Sequence, residues 1–135
     1  MFEYTTSFTV RYAETDQMGI VHHSNYAVYY ELAMVEAMSS LGSNYRAMEE
    51  SGILMPILNI HSVFKAPLRF DDKITIKVLI KKMPLAKILF EYELYTEKGT
   101  LAHLGSTELG FVTKDEMKPC RVPGWFADCL RPFFD

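Results

Sequence analysis

A carboxylate, a glycine turn, two histidines and a helix start fall within one run, Tyr12 to Tyr26. Asp16 is the carboxylate. Gly19 permits the chain to change direction sharply behind it. Ser24 or Asn25 is the expected N-cap of the helix that follows. The first N–H groups of a helix have no intrahelical acceptor and sit at the positive end of its dipole, so they can hold an anion. This pairing suits chemistry at a carbonyl. Asp16 can attack it or activate water, and N–H groups around His22 and His23 can bind the oxyanion that forms. A positioned base is worth about 10²–10⁴-fold and one oxyanion donor roughly 10²–10³-fold. Asp16 also has a plainer use, hydrogen-bonding its own turn.

The other reactive side chains have competing readings. His22 and His23 are adjacent, and neighbours seldom converge on one ion without a third ligand, so no metal site is expected. His61 and His103 stand alone on strands. The His22 ring could orient water or Asp16, or it could pack at the surface. Glu31 falls about two turns into an apolar helix, where a carboxylate must find a partner or protonate.

These residues need elements to position them. Residues 4–12 alternate as a half-buried strand, with Tyr4, Thr6, Phe8, Val10 and Tyr12 on one face. The helix runs to about Leu41, with Gly42 as its stop, a length of about 25 Å. Its residues are apolar nearly all round, so it must be enclosed, and only a sheet is available to wrap it. A shorter helix is expected from Asn44 to Glu50. Strands follow over 56–66, 73–82, 87–96 and 101–113. Ile74, Ile76, Val78 and Ile80 point inward on the second of these, and Ile88, Phe90, Tyr92 and Leu94 on the third. Pro123, at a first helical position, opens a last helix over about Gly124–Leu130. The order gives an α+β plan, a curled antiparallel sheet of about five strands around one central helix.

The totals narrow the class. At 135 residues the chain is read as one domain, 1–135. A net charge of −3 gives no basic footprint for nucleic acid. Cys120 and Cys129 form no metal or disulfide pattern and read as reduced thiols. Glu3 and the lack of a long apolar run near the start argue against a signal peptide, and Glu31 and Glu36 interrupt the longest apolar segment. No membrane association is expected.

The run from Arg11 through Asp16, Gly19, His23 and Asn25 to Tyr26, with Tyr30 and Glu31 beyond it, resembles the 4-hydroxybenzoyl-CoA thioesterase-like family of hotdog-fold acyl-CoA thioesterases. The shared pattern is an aspartate, a glycine three residues on, a hydrophobic pair, and Asn/Ser-Tyr entering the central helix. Strand order extends the resemblance over residues 4–113. It implies hydrolysis of an acyl-CoA to free acid and CoA in the cytoplasm, with no cofactor beyond the CoA of the substrate. It places Asp16 as nucleophile or general base and the His23 backbone N–H as oxyanion donor, and it makes Glu31 either a rival base, as on this helix in some other hotdog thioesterases, or a structural group bonded to backbone near the Asp16 loop. Gly19, Val21, His22, Asn25 and Tyr26 would surround the substrate. Ser62, Phe64 and Lys65 would reach it from a strand that passes the site where two subunits meet.

The resemblance also implies a homodimer, often paired into a homotetramer, and the aromatic tail (Trp125, Phe126, Phe133, Phe134) could cover that interface or its own subunit. Tyr26, Tyr29 and Tyr30 either line an acyl pocket or fill core. Lys73, Lys77 and Lys81 alternate on one strand face, with Lys82 and Lys87 beside the turn. They either hold CoA phosphates or stand in solvent. Two other functions use the same fold. A hotdog hydratase or dehydratase pairs its aspartate with a histidine five residues on, a place held here by Val21. A non-catalytic acyl-CoA or acyl-carrier binding module has no need of Asp16.

Overall fold

Two periodicities build the molecule. In β4 (Lys73–Ile80) and β5 (Lys87–Tyr95) every second residue is buried, Ile74, Ile76, Val78 and Ile80 on one and Ile88, Phe90, Tyr92 and Leu94 on the other. In α1 (Tyr26–Ser40) the buried residues are Tyr26, Tyr29, Tyr30, Ala33, Met34, Ala37 and Met38, the three- and four-residue spacing of one helix face. The two sets meet as the core. The computed structural model describes residues 1–42 and 45–134, with Tyr45 described by its backbone alone.

β1 (Phe2–Thr9), β4, β5, β6 (Leu101–Gly110) and β3 (Ile57–Phe64) form one antiparallel sheet in the order β1-β4-β5-β6-β3, and α1 packs across its inner face. This is the α+β arrangement of a sheet around one long helix. A short α2 (Tyr45–Glu50) follows α1; Asn44, the expected start of that helix, lies outside the described residues. Two-residue strands β2 (Ile53–Leu54) and β7 (Val112–Thr113) pair separately. They are too short to leave a pattern in the sequence. Gly99, at φ +86°, turns the β5–β6 hairpin. α3 (Gly124–Leu130) buries Phe126 and Leu130 in the chain's own core, and Phe133 packs edge-on against Phe2.

Three expectations are corrected. The first strand ends at Thr9 rather than residue 12, because Val10 turns away to bond Asp72 and Tyr12–Glu14 forms a short 3₁₀ turn; Tyr12 is exposed. Pro123 occupies the N-cap position, with extended ψ of 142°, and the helix begins at Gly124. The sheet does not enclose α1 all round. It covers one face and leaves Val28 and Leu32 47% and 57% exposed, with Glu31 exposed beside them.

Candidate active site

A buried carboxylate fixes the loop that carries Asp16. Glu14 is the buried carboxylate here. It accepts from the Arg11 backbone N–H at 2.8 Å, from the Arg11 guanidinium at 3.0 and 3.2 Å, and from the Tyr29 hydroxyl at 2.9 Å. Burial pushes the Glu14 carboxyl up, but the Arg11 and Tyr29 hydrogen bonds and the Arg11 charge outweigh it and hold Glu14 below the usual value. Glu14 therefore ties the loop to α1. This is the structural one of the two roles expected of Glu31, which instead lies on the exposed stripe of the helix. Only the Glu14 half of a capping box is present, its carboxylate accepting from the Arg11 N–H, and arginine at the N-cap has no acceptor to make the pattern readable in the sequence.

Within the loop, Asp16 N–H donates to the Ile20 carbonyl and Gly19 N–H to the Asp16 carbonyl, both at 2.9 Å, with Gly19 at φ +78°. The half-buried Asp16 side chain accepts from Met18 N–H through Oδ1 at 2.8 Å. Val21 N–H donates to Leu68 and His22 N–H to Glu14 carbonyl, at 2.7 and 2.8 Å. The His22 N–H is thus spent, and it is no oxyanion donor. A short 3₁₀ turn over His23–Asn25 then leads into α1. His23 is the first residue of that turn, and its N–H has no acceptor among the described residues.

An open cleft of about 470 Å³ brings together Asp16, His23, Val21, Tyr26, Phe64 and Lys65, six of the expected site residues. Met18, Ile20, Ala66 and Pro67 complete its lining. The sequence did not single these out, since apolar loop residues carry no chemical signal of their own. Burial pushes the Tyr26 phenol up to about 12, helped by Tyr30. Four expected residues sit outside the lining. Gly19 faces a neighbouring concavity on the other side of Asp16. The His22 ring accepts from Ser24 N–H at 3.2 Å and lies 2.8 Å from its hydroxyl. Asn25 occupies the expected N-cap position of α1, but its side chain makes no capping bond; its amide donates to the Glu14 carbonyl at 2.8 Å. Ser62 bonds the Tyr30 hydroxyl at 2.7 Å.

Beneath the cleft lies His103, fully buried on β6, with Nε2 bonded to the Tyr30 hydroxyl and Nδ1 unpartnered among the described residues. Burial lowers its pKa to about 4, so the ring is neutral at pH 7. An isolated histidine in a strand pattern gave no hint of this. The lysine stripe stands on the outer face of the sheet. Lys77 pairs with Glu3 at 3.0 Å and Lys81 with Glu91 at 3.4 Å, leaving Lys65 as the lysine that lines the cleft. No group of three or more potential metal ligands occurs among the described residues.

Residues 10–130 match the family model of the thioesterase-like superfamily. The chain belongs to that superfamily. A relative in Bacillus subtilis (strain 168), the candidate acyl-CoA thioesterase YneP, is 34% identical over 119 residues, covering 88% of this chain and 86% of its own. The DHNA-CoA thioesterase of Staphylococcus aureus superposes with a TM-score of 0.89 at 35% identity, over 98% of this chain and 89% of that one. A mutant 4-hydroxybenzoyl-CoA thioesterase, solved with 4-hydroxybenzoyl-CoA, has a TM-score of 0.85 at 20% identity, over 94% of this chain and 97% of that one, and shares the fold. Thioesterase-like membership and the hotdog architecture were both legible in the Arg11–Tyr26 run and the strand order.

Proposed function

We propose that this protein hydrolyses an acyl-CoA thioester to a free carboxylic acid and CoA. The observation that carries the reading is that Asp16 and His23, whose backbone N–H has no acceptor among the described residues, line the same cleft. The thioester oxygen would accept from His23 N–H, where the α1 dipole favours the developing charge. Asp16 would either attack the carbonyl, forming a mixed anhydride that water then opens, or take the proton of the attacking water. In both routes the sulfur leaves with the C–S electron pair as CoA thiolate. That is a good leaving group, so no strong general acid is required. The chemistry needs no cofactor beyond the substrate's own CoA.

The working unit in this reading is a dimer. Every residue of edge strand β3 is exposed, including Ile57, Leu58, Ile60, Val63 and Phe64 at 45–55%. An apolar edge of this length invites pairing with another strand. A second copy adding its own β3 would continue the sheet and cover the Val28–Leu32 stripe, and two such dimers could stack as a tetramer. Phe64 and Lys65 would then stand at the subunit boundary. Relatives named as acyl-CoA thioester hydrolases support a CoA thioester as the substrate, beside one named as an acyl-acyl carrier protein thioesterase; the cytoplasm is the compartment in this reading. No helix among the described residues is long and apolar enough to cross a membrane.

Thiol release from short, long and aromatic acyl-CoAs, with an acyl-carrier thioester alongside, tests the proposal. Turnover of a CoA thioester is expected, and the best substrate identifies the acyl class. Saturable binding with no thiol released from any of them would contradict it, in favour of a hydratase or a binding module.

A further inference from the structure

The cleft has two aromatic walls, Tyr26 and Phe64, and both rest on one buried imidazole. Tyr26 lies flat on His103, with ring centroids 4.1 Å apart and planes 18° apart. Phe64 meets the same ring edge-on at 4.8 Å and 77°. The two walls meet each other at 5.0 Å and 86°. Two sides of the space beside Asp16 are therefore set by the plane of a single side chain that does not itself line the cleft.

That plane has an anchor. His103 Nε2 bonds the Tyr30 hydroxyl, whose oxygen also bonds Ser62 Oγ at 2.7 Å. Tyr30 is confined in turn. It stacks on Tyr92 at 4.6 Å and 8°, and it lies over Gly105, where an added Cβ would fall 2.2 Å from the Tyr30 ring. Packing alone gives no reason for an imidazole at position 103. A phenyl ring would fill similar space and leave no buried nitrogen without a partner, as Nδ1 is here. What the imidazole adds is a directional bond to Tyr30, and that bond fixes the rotation of the ring beneath both walls.

We propose that His103 is a positioning residue of the acyl pocket: anchored by Tyr30, it sets the angle between Tyr26 and Phe64 and thereby which acyl shapes the cleft accepts. This inference rests on the reading of the cleft as an acyl-thioester site. His103 takes no part in bond making; it acts through the two walls.

The experiment compares kcat and KM for an aromatic and a straight-chain acyl-CoA in the wild type, His103→Leu, His103→Phe and Tyr30→Phe. Leucine removes the flat face, while the two phenylalanine variants keep a ring and remove the anchor. The ratio of kcat/KM between the two substrates is expected to change about tenfold in His103→Leu and by a smaller factor in the other two. KM should carry the change, with kcat on the better substrate held within about threefold, because other elements supply the carboxylate and the N–H donor. An equal loss on both substrates is the signature of a merely structural residue and would overturn the proposal, as would an unchanged ratio. If His103→Leu does not fold, Tyr30→Phe, which deletes one oxygen, carries the same expectation. If the wild type releases no thiol, the hydrolase reading has failed separately, and the same ratio is then read from equilibrium affinities of the two acyl-CoAs. Absence of binding by both would overturn the inference as well.

Discussion

Asp16 combines two uses that the sequence set against each other. Its Oδ1 accepts from Met18 N–H and shapes the turn, while the carboxylate still borders the cleft. In the proposed reading, the turn is what aims the carboxylate. His23 separates side chain from backbone more cleanly. If its N–H is the oxyanion donor, His23→Ala should leave thiol release within a few-fold, whereas His23→Pro should lower kcat by about 10²–10³. Proline suits this place. His23 opens a helical turn, and His22 already has the extended conformation a following proline demands, φ −66° and ψ 138°. Circular dichroism of the proline variant should be unchanged. His103 governs pH dependence of stability instead. Its folded pKa of about 4 lies below the usual histidine value of 6.5, so the unfolded chain takes up the proton first. Its contribution is complete above pH 6.5 and is lost as pH falls toward 4, up to roughly 3 kcal/mol. Denaturant titrations between pH 7 and 4 should show this loss, and His103→Phe should flatten that part of the profile. The Asp16 turn and its place beside His23 in one cleft were legible because polar types at fixed spacing mark a turn and a helix start. Glu14 and His103 were not, because their roles arise from what lies over them in space.

At the scale of elements, β4 and β5 were readable residue by residue, since strict alternation leaves one register that buries the isoleucines. α1 was readable in extent and misjudged in surroundings. Composition makes it apolar nearly all round, and only three-dimensional packing shows which stripe the sheet leaves uncovered. β6 held another feature that composition hides. Gly105 lies where any side chain would collide with Tyr30. Gly105→Ala should force Tyr30 aside and cost about 1–3 kcal/mol by overpacking, seen as a lower denaturation midpoint. An unchanged midpoint would mean that α1 and β6 are not in tight contact there.

At the scale of the whole molecule, one subunit leaves an edge strand open and one stripe of its central helix bare. The edge strand carries Phe64, which lines the Asp16 cleft, so assembly and activity should fail together. Ile60→Asp places a charge on the exposed edge. Light scattering at micromolar concentration should show monomer, with thiol release lost; a stable, active dimer would contradict the β3-paired arrangement. The central claim is narrower, that the carboxylate of Asp16 performs the hydrolysis. Asn at position 16 can still accept from Met18 N–H, so the loop should hold its shape. The most direct measurement is thiol release from the preferred acyl-CoA by the wild type and by Asp16→Asn, with melting temperature and oligomeric state checked in parallel. A fall of about 10²–10⁴-fold in kcat is expected, with folding and assembly intact. Activity retained within a few-fold in a folded Asp16→Asn protein would contradict it.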